Sequence, residues 1–344
     1  MTPHRLLIEN IERSARTINP VFLHSPQYNC EPLSAELGCA LTLKVETTNP
    51  IRSFKGRGAD FFMQENVAAL AGRDLVCATA GNFGQAMAYA CRAHKRSLII
   101  YCATNANPLK VDRMRSMGAD VRQMGDNFDA AKENAKKFCA ETGAYFVEDG
   151  RDVAISEGAG SIAVELMQER TFDAVLVPLG NGALIGGVSR YIKHIAPDVQ
   201  IIGVSSATAD AMEASWRSGT VIERPSANTI ADGIAVRTPV PEALNDMKGF
   251  VDDVLLVSED ALKRAMKLVF DKAGLIIEPA GIAGVSASLE HTHLKKMRLA
   301  TILCGSNLTP TQTSAVHQLD SCARPTTVAS RFPPFRWLQL VLRA

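Results

Sequence analysis

A lysine at position 55, in the segment NPIRSFKGRGADFF (49–62), stands where an amine could be turned to chemistry. Ser53, Phe54 and Gly56 flank it, an apolar and small setting that could desolvate the amine, and a desolvated lysine can condense with an aldehyde. The same lysine also fits a solvated charge near the start of a helix running from about Arg57, with Asn49-Pro50 as the turn before it.

Three glycine-bearing turns could complete a site. In VPLGNGALIGG (177–187), Gly180 and Gly182 would let backbone N–H groups approach phosphate oxygens, with the following helix adding positive potential. Neither common nucleotide loop fits: Ile185 stands where a dinucleotide fingerprint needs glycine, and no Gly-Lys-Ser/Thr ending follows. A plain tight turn remains open. In TAGNFGQAMAYA (79–90), a turn at Gly81 and Asn82 opens a helix whose free N–H groups suit a carboxylate; an asparagine in a left-handed turn is the alternative. In LCGSN (303–307), Cys304 closes a strand, and a buried cysteine also serves as a small hydrophobe.

The elements that must hold these segments are legible from their periodicity. Apolar or β-branched runs at 41–46, 75–80, 97–103, 144–149, 174–180, 200–206 and 300–305 predict strands. Between them, spacings such as Ala159, Ile162, Ala163, Leu166 and Met167 predict helices. Strand alternating with helix means a parallel sheet covered on both faces, with ligand sites at the turns beyond the strands' carboxyl ends. No internal repeat or Gly/Ser linker divides the chain. From Ser321 onward its character changes, to three prolines, four arginines and no acid, so residues 321–344 are expected to form an appended tail.

Composition narrows the partners. With 344 residues, 47% hydrophobic and 21% charged, the chain can bury a large core. Lysine plus arginine number 37 against 36 acids, which gives no strong field for nucleic acid or an anionic membrane, so a small molecule is the expected partner. Eight cysteines form no C-x-x-C pair and are expected to be reduced thiols. The first twenty residues lack the uninterrupted apolar region of a signal peptide, and no run approaches the roughly 18 residues of a membrane helix. A cytoplasmic location is expected.

Taken in order, S-F-K-x-R-G-A, T-A-G-N-x-G-Q, the glycine loop after V-P, I-E-P-A-G and C-G-S-N resemble the fold-type II pyridoxal-phosphate enzymes over roughly Pro20 to Thr313. The nearest likeness is to the threonine/serine dehydratase branch, which also contains serine racemase. That resemblance implies pyridoxal 5′-phosphate on Lys55, which would also move the α-proton, with Phe54 packed on the ring. Asn82 would meet the phenolic oxygen, and Thr79, Ala80, Gly81, Asn82 and Phe83 the substrate carboxylate. Gly180, Asn181, Gly182, Ala183 and Leu184 would hold the phosphate. Cys304 would face the pyridine nitrogen, Glu278 would lie near the ring edge, and Asp232 at the mouth. The implied architecture is α/β of the tryptophan synthase β type, with two domains built on open, mostly parallel twisted sheets covered by helices. A large domain would comprise 1–73 plus 150–320 and a small mobile one 74–149, and the protein is expected to be a homodimer.

Departures shape the expected reaction. Ala80 replaces the hydroxyl residue that serves serine racemase as second base, which argues against racemisation. Phe83 replaces a histidine, and the metal-binding acids appear as Ser205 and Ala211, so no metal is expected. Asn181 and Ala183 interrupt the usual glycine run but keep their backbone donors. About 30 residues follow the last motif, and feedback inhibition through a regulatory domain is not expected. The leading expectation is β-elimination of L-threonine or L-serine to a 2-oxo acid and ammonia. Replacement chemistry, as in threonine synthase or cysteine synthase, and a silent cofactor or amino-acid binder are the alternatives.

Overall fold

The computed structural model describes residues 4–66, 68–79, 81–168, 171–309 and 312–313. Through the first part of the chain run α1 (Ile8–Thr17), β1 (Gln27–Asn29), α2 (Glu31–Leu37), β2 (Ala40–Val45), α3 (Lys55–Asn66), β3 (Leu75–Ala78), α4 (Asn82–Ala93), β4 (Leu98–Cys102), α5 (Pro108–Ser116), β5 (Asp120–Gln123), α6 (Phe128–Thr142) and β6 (Tyr145–Phe146). There follow α7 (Val153–Leu166), β7 (Ala174–Pro178), α8 (Ala183–Ile195), β8 (Gln200–Ser206), α9 (Ala211–Ser218), α10 (Pro241–Met247), β9 (Asp253–Val257), α11 (Glu259–Ala273), α12 (Ala283–Glu290) and β10 (Arg298–Leu303). All seven predicted strand runs are strands. Four of them stop two or three residues early, at Ala78, Phe146, Pro178 and Leu303.

The strands form two sheets. One has the order β1-β2-β10-β7-β8-β9, with only β1 antiparallel to its neighbour; the other, β5-β4-β3-β6, is parallel throughout. Strands β4 and β7 are buried at every residue, as parallel strands covered on both faces must be, which is why they read as unbroken apolar runs. Helix α11 shows the local code clearly. Ser258 caps it by accepting from the Ala261 N–H, Leu262, Ala265, Met266 and Val269 form its buried stripe, and Gly274 ends it at φ 66°.

Helix α3 begins at Lys55 itself, two residues before the expected start. It packs on α7, and α7 on α8, at backbone distance. A Cβ built on Gly58 would come within 2.5 Å of the Ile155 carbonyl oxygen, and one on Gly187 within 2.0 Å of that of Ser156. These contacts fix the start of α3 relative to the start of α8. Because the strands are parallel, the loops after β2, β7 and β10 emerge on one side of the larger sheet, and those after β3 and β6 on one side of the smaller.

Ala80, Cys322 and the tail 321–344 lie outside the described residues. The seven cysteines within them are all free thiols. No helix among the described residues is long and apolar enough to cross a membrane.

Candidate active site

The loop carrying Lys55 is tied down residue by residue. Asn49 donates to the carbonyls of Glu46 and Ser53, at 2.9 and 3.1 Å. The Phe54 N–H and the Ser53 hydroxyl both donate to the Cys304 carbonyl, at 3.1 and 3.2 Å. Asn307 donates to the Ile51 carbonyl at 2.8 Å, and the Ser306 N–H to that of Arg52 at 3.0 Å. Two segments about 250 residues apart therefore form one rigid corner at the ends of β2 and β10.

Lys55 projects from this corner into a cavity of about 550 Å³. Its Nζ donates to Asp149 Oδ2 at 2.6 Å and lies 4.7 Å from the centre of the Phe54 ring. Thr79, Gly81, Asn82 and Phe83 line the same cavity, as do Asp232, Glu278 and Cys304. From the glycine loop, Asn181 lines it, while Gly180, Gly182, Ala183 and Leu184 do not. That loop contributes the start of α8: Gly182 is its N-cap at φ 90°, a conformation that favours glycine, and the N–H groups of the first turn have no partner within the helix. Helix α4 likewise opens at Asn82 with no side-chain cap, after Gly81 donates to the Thr79 hydroxyl at 3.1 Å.

A polar cluster stands opposite the lysine. Asn82 Nδ2 donates to Glu278 Oε1 at 2.6 Å, the Asn307 N–H to Glu278 Oε2 at 2.9 Å, and Asn307 Nδ2 to Asn82 Oδ1 at 2.8 Å. Burial of Glu278, with Asp232 adding like charge, pushes its carboxyl up to about 7 against the pull of Lys110 and the donors from Asn307 and Asn82. Burial also pushes the Cys304 thiol far above its ordinary range, so it stands in the cavity wall as a neutral group.

The raised Glu278 has a consequence for stability. The folded chain holds this proton more tightly than the unfolded chain. The stabilisation is therefore complete below about pH 4.5 and is lost as pH rises through about 7, an effect on the order of 3 kcal/mol. Urea unfolding of cofactor-free protein should show stability falling across this window, with the fall reduced by that amount in Glu278→Gln. An unchanged slope in the variant would remove Glu278 as the cause.

Several charged residues at the cavity were not singled out from sequence: Lys110, Asp129, Lys132, Glu148, Asp149 and Arg237. Lys110 pairs with Asp232, Lys132 with Glu148, and Arg237 with Asp129 at 2.6 Å. Asp149 was read as the end of a strand; the strand stops at Phe146 and leaves it in the following loop. Its position at a strand's carboxyl end was the available signal. Ser205 is buried and donates to the Leu179 carbonyl at 2.9 Å, Ala211 is buried at the start of α9, and no group of three or more potential metal ligands occurs among the described residues.

The chain is similar to known proteins in sequence and in fold. The sequence family described as "Pyridoxal-phosphate dependent enzyme" matches residues 19–305. L-threonine ammonia-lyase of Thermotoga maritima is 32% identical over 304 residues, which cover 88% of this chain and 76% of that protein. The biosynthetic, chloroplastic threonine dehydratase of Arabidopsis thaliana is 30% identical over 309 residues, covering 88% of this chain but 52% of that protein. The chain thus spans about half the length of that plant relative. Among solved structures, the processed form of threonine deaminase isoform 2 from Solanum lycopersicum superposes with a TM-score of 0.83 at 28% identity, covering 91% of this chain and 93% of that one.

Two observations here suit the family's cofactor. A lysine amine and Asn181, in the turn leading into the uncapped start of α8, line one cavity, which suits an aldehyde and a phosphate on one molecule. The wall also carries a buried carboxylate oxygen, Asp149 Oδ1, with no hydrogen-bond partner, as expected where a ligand supplies the missing donor. With the family matched across most of its length and this cavity built from the matched segments, the chain belongs to the pyridoxal-phosphate dependent enzymes of fold-type II.

Proposed function

We propose that this protein is an ammonia-lyase acting on L-threonine or L-serine, giving a 2-oxo acid and ammonia. The carrying observation is that Lys55, the open start of α4 and the neutral thiol of Cys304 meet at one cavity. The threonine ammonia-lyase and dehydratase relatives support the same reading.

When bound, pyridoxal phosphate supplies a sink for the electron pair left on the substrate's α-carbon. Lys55 Nζ would hold that cofactor, and the same amine would be the base that takes the α-proton. First-turn N–H groups of α8 would hold the phosphate. Those at the start of α4, with Thr79, would hold the substrate carboxylate. Phe54 packs beside the lysine, and Asn82 keeps one amide hydrogen beyond its bond to Glu278 for the phenolic oxygen. Cys304 offers the ring nitrogen no carboxylate, and a sink left weaker in that way suits expulsion of a β-hydroxyl better than transamination.

The division at residues 74–149 belongs to this reading. The smaller sheet and its helices would close on the rest through the pairs of Lys110 with Asp232 and Arg237 with Asp129, excluding water from the cavity. So does a cytoplasmic homodimer, which sedimentation at micromolar protein would test.

The deciding assay is release of 2-oxo acid and ammonia from L-threonine and L-serine by cofactor-loaded protein. Formation of both products supports the reading. No product, with turnover of O-phosphohomoserine or incorporation of sulfide, would replace it with replacement chemistry. Cofactor absorbance without any turnover would leave a silent binder.

A further inference from the structure

Asp149 is 7% exposed, yet its side chain has a single partner among the described residues, Lys55 Nζ. Its other oxygen, Oδ1, is buried with none. A buried carboxylate left short of donors is costly, and such a group needs an explanation.

The loop that carries it is built to hold it there. Arg5 donates to the carbonyls of Gly150 at 2.9 Å and Arg151 at 2.5 Å, while also gripping Asp246 through two nitrogens at 2.6 and 2.7 Å. The next turn is closed by Asp152, which accepts from the Glu148 N–H at 2.6 Å and the Tyr145 hydroxyl at 2.5 Å. Asp149 is therefore aimed at the cavity by its backbone rather than by bonds of its own.

Its surroundings indicate what it meets. Strands β3 and β6 are parallel neighbours, so the loop holding Asp149 emerges beside the Thr79–Asn82 turn. Asp149 thus lies beside the amine proposed to act at the α-carbon and lines the same cavity as the turn proposed for the α-carboxylate. A bound amino acid with its carboxylate at that turn and its α-carbon at Lys55 would have its β-substituent within reach of a group in this position. With Lys55 turned to the cofactor or the substrate, Asp149 would lose the one cation paired with it among the described residues. The other cations of the cavity, Lys110, Lys132 and Arg237, are each matched to a different carboxylate.

We propose that Asp149 is the specificity-determining residue for the β-position: it accepts a hydrogen bond from the β-substituent. The site thereby admits amino acids whose β-substituent is a neutral or cationic donor and turns away a β-carboxylate. This rests on the reading of the cavity as an amino-acid site and extends it to the class of side chain taken.

The test uses L-asparagine and L-aspartate, which share a shape, lack a β-hydroxyl leaving group, and differ in whether they present an N–H donor or a charge. Titrating each into the holoprotein and following the cofactor's visible absorbance gives two dissociation constants. Asparagine is expected to bind at least about tenfold more tightly, the scale of repulsion between two carboxylates in a partly buried site. In Asp149→Asn the ratio should fall to within about threefold, or reverse, because the repelling charge is gone. Equal affinities in the unaltered protein, binding of neither amino acid, or a preference that survives in the variant would each overturn the proposal. Should the variant fail to fold, the unaltered protein still decides through its own ratio. Absent turnover of threonine and serine would sink the lyase reading alone and leave this ratio readable.

Discussion

Lys55→Ala is expected to abolish the visible absorbance of lysine-bound cofactor and to lower kcat/KM for the proposed substrate by about 10³-fold or more. A positioned base alone contributes roughly 10² to 10⁴, and the variant also loses the covalent tether. The fold should survive. Alanine favours helix at the first residue of α3, and the corner around it is held by bonds from Asn49, Ser53, Phe54 and Asn307, none involving the lysine side chain. The change does remove the one cation paired with Asp149 among the described residues, so unfolding by urea should be recorded beside the kinetics. Retained absorbance and turnover in a folded variant would remove Lys55 from the mechanism.

The largest expected stability effect lies two residues further on. Arg57 is completely buried and donates to Glu46 at 2.8 and 2.9 Å, to Glu165 at 2.7 and 2.9 Å, and to Ser161 at 3.1 Å. Lys44, also buried, donates to Glu165 at 2.6 Å, so two cations face two carboxylates. Burial works against the charge of Glu165, but Arg57 and Lys44 outweigh it and hold the carboxyl down to about 2. Arg57→Met keeps much of the volume and strands Glu46 without its ion-pair partner. The expected loss is on the order of 3–5 kcal/mol at pH 7, read by urea unfolding. Arg57→Met combined with Glu46→Gln should recover much of it, since Lys44 and Glu165 then remain as a balanced pair. A single variant within about 1 kcal/mol of the unaltered protein would show that the network contributes little.

The two changes probe adjacent residues of one motif for different reasons. Lys55 begins α3 and points into the cavity, where its neighbours leave it room to react. Arg57 points under the same turn, where its neighbours leave it none. The motif S-F-K-x-R-G-A thus joins a group that acts and a group that holds the acting one in place.

What the sequence by itself determined was local in origin. Continuous apolar runs gave away the buried parallel strands, because a strand covered on both faces admits no polar alternation. The turn at Gly182 was visible because glycine marks backbone that other residues adopt poorly, and the one at Gly81 because glycine and asparagine favour turns. Lys55, Asn82, Glu278 and Cys304 could be named because each sits in a short segment whose order along the chain is shared with the family. Strands β1, β5 and β9 escaped notice. The first is short, and β1 and β5 are largely solvated edges; β9 has an apolar DVLLV run that was not singled out.

Tertiary structure alone decided which charges are buried and whom they face. Nothing near Arg57 in sequence distinguishes it from a surface arginine, and its partner Glu165 is 108 residues away. Asp149 meets Lys55 across 94 residues, and Asn82 meets Glu278 across 196. Periodicity reports the state of a local backbone and the face it buries. The environment of a charge depends on segments brought together by the order of strands, and here that order inserts the last strand, β10, between β2 and β7. That insertion carries Cys304 and Asn307 to the lysine, and only the folded sheet contains it.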